Sequence, residues 1–167
     1  MTDAVTFQPI NSLQMESYII KYCVKNNIPL NVTKIQKLMY CCYGTVLARF
    51  GVRLTDEQPA AWQYGPVFPA ALKAIQYLGI EAFAKSPTAE AEALPDSVRH
   101  VIADTLNYFG KFLASQLSKW SHVADSPWSK ASCGGLYLYL ELSDDDIKHY
   151  FATKVFSPDY ARAAYCI

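Results

Sequence analysis

Apolar residues return every three or four positions along most of this chain, and clusters of Pro, Gly and Asn interrupt them. Asn11 or Ser12 caps a first helix running to about Asn27, with Leu13, Met15, Ile19, Ile20, Tyr22 and Cys23 on its apolar face. Asn26-Asn27-Ile28-Pro29 stops it, because Pro29 supplies no N–H and disfavours a helical residue before it. Asn31 or Thr33 caps a second helix that ends near Phe50, where Gly51 suits a left-handed cap. Ile35, Leu38, Met39, Cys42, Val46, Leu47 and Phe50 form a stripe wide enough to put this helix at the centre of the core.

Beyond it the pattern shortens. Asp56 to Gln58 read as a turn, and Ala60 to Tyr64 alternate as a short strand. Pro66 and Pro69 fit a tight turn and the first turn of a third helix, which Gly79 closes after Leu78. Ile80 to Phe83 read as a second short strand, and Pro87 to Ala93 as a solvated connection. Pro95 and Asp96 open a fourth helix to about Phe109, and a fifth runs from about Leu113 to Trp120 or Ser121. Ser126-Pro127-Trp128 starts a sixth, broken by Cys133-Gly134-Gly135. Ser143 caps a seventh with Asp144, Asp145 and Asp146 on its first turn, where the helix dipole favours carboxylates; it ends near Phe151. The expectation is a mainly α, compact single domain of about six to seven helices, with a short β-hairpin or strand pair near 60–65 and 80–84. The tail from Thr153 to Ile167 has few anchors, although Phe156, Tyr160 and Tyr165 are able to dock on the domain or on a partner.

Composition narrows the function. The 167 residues fit one domain, large enough to bury about two thirds of its unfolded surface without a metal or disulfide staple. Fifteen basic residues balance fifteen acidic ones, so nothing favours broad binding to a phosphate backbone, and nucleic acid is disfavoured as a partner. Five cysteines, with no CxxC pair, point to buried thiols in a reducing cytoplasm. Residues 1–10 carry neither a basic start nor an apolar run, and the apolar stretches fall short of a membrane span.

Candidate chemistry sits in a few places. Trp62, Tyr64, Trp120 and Trp128 form either an aromatic binding surface or core pins; Tyr64 and Phe68, beside Gly65-Pro66, are the candidates for surface contact. Lys34 and Lys37 stand on the first turn of the second helix, the wrong end for its dipole. They read as solvated lysines, or as cations facing a carboxylate or a partner. His122 with Cys133 invites a Cys–His enzyme, yet no spacing certifies a lowered thiol pKa or an oxyanion hole. The plainer reading is a turn histidine bonded to a backbone carbonyl or carboxylate. His100, His122 and His149 fit no compact zinc pattern, and no cofactor is expected.

Four blocks occur in an order that resembles the Panacea-domain family of SocA-like and GepA-like antitoxins. They are Lys34-Ile35-Gln36-Lys37-Leu38-Met39-Tyr40, Trp62 through Pro69, Ser121-His122 through Pro127-Trp128, and Ile147-Lys148-His149-Tyr150-Phe151. The resemblance covers roughly residues 12–152; it assigns 1–152 to a Panacea-like domain and leaves 153–167 as a C-terminal tail. Family members often carry an acidic residue in the turn after His122, and Asp125 stands there before Ser126. The resemblance implies a cytoplasmic antitoxin of a bacterial or phage toxin–antitoxin pair, linked to mobile elements. Such a protein neutralises a cognate toxin by direct protein–protein binding, and some relatives resemble adaptors that deliver the toxin to a AAA+ protease. Homo-oligomers remain an option. On this basis Lys34, Lys37, Tyr40, Tyr64, Pro66 and Phe68 are the partner-binding candidates. Trp62, Gly65, His122, Pro127 and Trp128 are the structural motif, and no catalytic or metal residue is assigned. A Cys–His enzyme and a DNA-binding autoregulator stand as the alternatives.

Overall fold

The computed structural model describes residues 5–155. Helix α1 (Ser12–Lys25) starts where the Asn11 side chain accepts from the N–H groups of Leu13 and Gln14. Helix α2 (Val32–Phe50) starts where Asn31 accepts from the Lys34 N–H at 2.8 Å, and it ends at Gly51 in the left-handed conformation. Strands β1 (Ala60–Trp62) and β2 (Gly65–Val67) pair antiparallel, with Ala61 opposite Pro66 and Trp62 opposite Gly65.

Helix α3 (Pro69–Leu78) opens on proline and has no capping side chain of its own. Its first free N–H groups, at Ala70 and Ala71, are instead taken by the carboxylate of Glu57 from the preceding turn. Helices α4 (Ile80–Ala84) and α5 (Ala89–Glu92) are single turns; α6 (Asp96–Phe109), α7 (Ala114–Ser121), α8 (Pro127–Ser132) and α9 (Asp144–Tyr150) follow, and a π-helical turn spans Phe151–Val155.

Helix α2 is the axis of the domain. Every residue from Lys34 to Leu47 is buried, because α1, α3, α6, α7, α9 and β2 surround the helix on all sides. Close approach has a visible cost in side-chain size. A Cβ on Gly44 would lie 2.3–2.5 Å from the Phe151 ring, which packs edge-on against Tyr40 at 5.5 Å. The start of α9 is fastened to the same helix: Tyr43 donates to Asp144 at 2.6 Å, and Arg53 pairs with that carboxylate. Burial, reinforced by the bond to Asp144, pushes the Tyr43 phenol well above its usual range.

The mainly helical expectation holds, with two local corrections. Residues 80–83 are not a strand. Gly79, at φ 86, ends α3 and restarts the chain as α4, whose buried contact is Phe83; the second strand lies instead at 65–67. The connection after Pro87 forms α5, which buries Ala91. The tail expected from residue 153 falls almost wholly outside the described residues, with Phe156, Tyr160, Tyr165 and Cys166.

Gly44→Ala is expected to lower unfolding stability by about 1–3 kcal/mol, because the added methyl displaces Phe151 from a filled core. Thermal and urea denaturation with Phe151→Leu as a companion would check this. The smaller side chain should recover part of the loss in the double variant.

Candidate functional site

A hairpin with three residues per strand has too little surface to stand alone. Here its backbone is held by side chains from elsewhere in the fold. The Trp62 carbonyl accepts from the Trp128 indole N–H at 2.8 Å, and the Tyr64 carbonyl accepts from the Ser118 hydroxyl at 2.7 Å. The Gln63 carbonyl lies 2.8 Å from His122 Nε2. On the return strand the Pro66 carbonyl accepts from Lys37 Nζ at 2.9 Å, and the Phe68 N–H donates to Gln36 Oε1 at 2.9 Å. Gly65, at φ 109, makes the turn possible. A Cβ there would lie 2.3 Å from Ser121 Oγ and 2.7 Å from Lys37 Cε.

Two of these clamps are themselves costly. Lys37 is 0% exposed, and no carboxylate pairs with it among the described residues. Burial pushes its ammonium down to about 7. On the other side of Gln36, Glu16 accepts from Gln36 Nε2 at 2.9 Å through Oε1, while its buried Oε2 has no partner. Burial raises the Glu16 carboxyl to about 8, the bond from Gln36 opposing the shift. Lys34 also turns inward, donating to the Gly110 carbonyl at 2.8 Å, and burial lowers its pKa.

The locked hairpin projects Gln63 and Tyr64. Tyr64 is 65% exposed on backbone fixed by side chains from α2, α7 and its C-cap, and α8. Beside it a groove of about 490 Å³ runs between the start of α2 and α7, lined by Asn31, Thr33, Ser115, Ser118 and Lys119 among others. On the outer side of β1, residues 139–142 run alongside it, with one isolated antiparallel bridge between Ala60 and Glu141: Tyr139 N–H donates to Ala61 at 2.7 Å, Ala61 N–H to Leu140 at 2.8 Å, and Leu142 N–H to Pro59 at 2.9 Å. Tyr139 and Leu140 both face Ala61, forming a bulge. Tyr139 adopts φ 71, which a bulky residue seldom does, and its ring meets Trp62 edge-on at 5.2 Å. Leu136, Tyr137, Tyr139 and Leu140 are all exposed, a run of large apolar side chains continuous with the hairpin.

These placements correct several surface expectations. Of the partner-binding candidates, Tyr64 alone is exposed; Lys34, Lys37, Tyr40, Pro66 and Phe68 are buried. The two lysines are not solvated, because they donate to backbone carbonyls inside the domain. Phe68 fills the core against Tyr43 at 5.6 Å, and Tyr40 packs on Trp120 and Phe151. Trp120 and Trp128 are buried and Trp62 is half-buried. Pro127, buried at the first position of α8, directs Trp128 toward the hairpin.

The ring of His122 has one nitrogen against the Ser118 carbonyl at 2.5 Å and the other against Gln63, with Trp128 at 4.0 Å. The Cys133 thiol is not among its contacts; that residue is exposed at the left-handed end of α8. No group of three or more His, Cys, Asp or Glu able to hold a metal occurs among the described residues. No helix among them is long and apolar enough to cross a membrane. The apolar strip at 136–140 was missed from sequence, though its unbroken run of large residues, Leu-Tyr-Leu-Tyr-Leu after two glycines, is visible there.

A family model described as Antitoxin SocA-like, Panacea domain, matches residues 35–129, a span that holds the hairpin and most of its clamps. Among curated proteins, Antitoxin SocA of Caulobacter vibrioides (strain NA1000 / CB15N) is 25% identical over 157 residues. The similarity covers 86% of this chain and 84% of that relative. No solved structure matches.

The buried carboxyl gives a pH signature. Its folded pKa, about 8, lies above the ordinary 4.5. Its contribution is therefore fully present below pH 4.5 and is lost as pH rises through 8. Glu16→Gln, which keeps the shape and cannot ionise, should gain about 1–3 kcal/mol on the wild type between pH 5 and 8. Urea denaturation of both proteins across that range measures it, and a constant difference would contradict the burial argument.

Proposed function

This chain belongs to the SocA-like antitoxin family that carries the Panacea domain, and from that premise we propose that it neutralises a cognate protein toxin by direct binding through the hairpin tip. The observation that carries this reading is Tyr64, a large side chain left exposed on backbone that five side-chain bonds hold still. Tyrosine buries a wide, rigid area with few torsions to freeze, and a pre-ordered loop loses little further entropy when a partner arrives. The exposed strip at Leu136, Tyr137, Tyr139 and Leu140 extends the same face with apolar surface.

Within this reading the other candidate residues act from inside. Lys37 and Gln36 set the return strand; Trp128, His122 and Ser118 hold the outgoing strand and turn. Tyr40, Phe68 and Lys34 fix the α2 platform beneath them. Substituting one of these would weaken neutralisation by disturbing the tip, and would lower stability with it.

Co-expression with the toxin encoded by the adjacent reading frame separates the two kinds of residue. Tyr64→Ala is expected to weaken toxin binding by roughly 10- to 100-fold, a hot-spot loss, and to reduce growth rescue with an unchanged thermal midpoint. Phe68→Ala is expected to lower the midpoint as well, because it empties a buried site. Full rescue by a folded Tyr64→Ala protein would contradict the assignment of the face.

A further inference from the structure

The chain is neutral overall but its charges are segregated. No Asp or Glu occurs between Glu16 and Asp56, between Glu57 and Glu81, or between Asp104 and Asp125. Every residue lining the groove beside Tyr64 comes from one of these three carboxylate-free stretches. The lining therefore holds no acid, and it does hold Lys119, which is exposed and forms no ion pair among the described residues. Asn31, Thr33, Ser115 and Ser118 add polar side chains, and the positive ends of α2 and α7 both border the space.

We infer that this groove receives an extended acidic segment of a partner protein, seated along Lys119 with Tyr64 covering one side. The inference rests on the tip being the neutralising face, and it adds the chemistry of what lies next to the tip. About 490 Å³ accommodates a short run of side chains rather than a folded element. A carboxylate there meets one free cation and no like charge, so electrostatics selects an acidic sequence over a basic one. Nucleic acid fits less well. Lys34 and Lys37 already donate to buried carbonyls, which leaves Lys119 as the cation in the lining, whereas a phosphate backbone needs several.

Fluorescence anisotropy of the full chain with labelled deca-glutamate tests the groove. Binding is expected, and it should weaken at least about tenfold on raising salt to about 0.5 M. Lys119→Glu should weaken it to a similar extent with an unchanged thermal midpoint, and should also reduce toxin neutralisation. Equal binding of deca-lysine, equal binding by Lys119→Glu, or tighter binding of a ten-nucleotide oligo-dT overturns the proposal. Self-association that Lys119→Glu abolishes would put a second copy in the groove and overturns it too. Neutralisation separates the two readings. If Lys119→Glu rescues fully while Tyr64→Ala fails, the acidic segment is wrong and the neutralising face stands. If Tyr64→Ala rescues fully, the face itself falls.

Discussion

The hydrogen bonds between the α2 side chains and the return strand of the hairpin determine most of what this domain presents. Gln36 accepts from Phe68 and Lys37 donates to Pro66, so two neighbouring residues on one helix read the donor and acceptor pattern of one strand. A shift of that strand by one residue would leave a buried amide, a buried ammonium and a buried carbonyl unpaired. Each such loss costs about 1–3 kcal/mol, more for the charge. The register of a very short sheet is therefore imposed by a helix rather than by the sheet itself. The outgoing strand is treated the same way by Trp128, His122 and Ser118.

That arrangement explains why polar groups lie where an apolar core would be more stable. Glu16, Gln36 and Lys37 form a buried layer between α1, α2 and the hairpin, and two of the three are ionisable groups with pKa values displaced by burial. Desolvation works against both charged forms, so the layer lowers stability relative to well-packed hydrophobes. What it supplies is a single way to seat the hairpin. The rest of the core offsets this: α2 is enclosed on all sides, and Phe151 closes on Gly44 with Tyr40 and Trp120 around it.

Much of this was legible in the chain. The Ser143 cap, the helix starts at Asn11 or Ser12, at Asn31 or Thr33 and at Ser126-Pro127, the left-handed stop at Gly51, and the centrality of α2 follow from local rules about orphan N–H groups and apolar periodicity; the structure selects Asn11 and Asn31 as the caps. The strand beginning at Ala60 was visible as well, but its return was not: Pro66 reads as a turn residue from sequence, and it lies in β2. The lysines were not. Position on a first turn says nothing about which face is enclosed, and a helix buried all round makes even its polar positions interior. Phe68 was misplaced for a related reason: a residue beside a Gly-Pro corner looks like loop, but β2 and α3 meet there and drive it against Tyr43. The 80–83 segment is too short for period alone to separate strand from helix, and Gly79 decides it by its conformation.

A rigid tip changes where the entropy of recognition is lost. A mobile loop bearing one tyrosine would have to order several backbone residues on meeting a partner, at about 1–2 kcal/mol each. Here that ordering has already happened during folding, set by bonds to α2, α7 and α8. On the proposed reading, a face with one projecting aromatic and a modest apolar strip would lose little of its interaction energy to ordering at association. The same logic accounts for the neutral overall charge. Affinity built on pre-ordered shape needs no strong field, and in the proposed groove the charge at Lys119, away from the carboxylates, would serve to discriminate between partners.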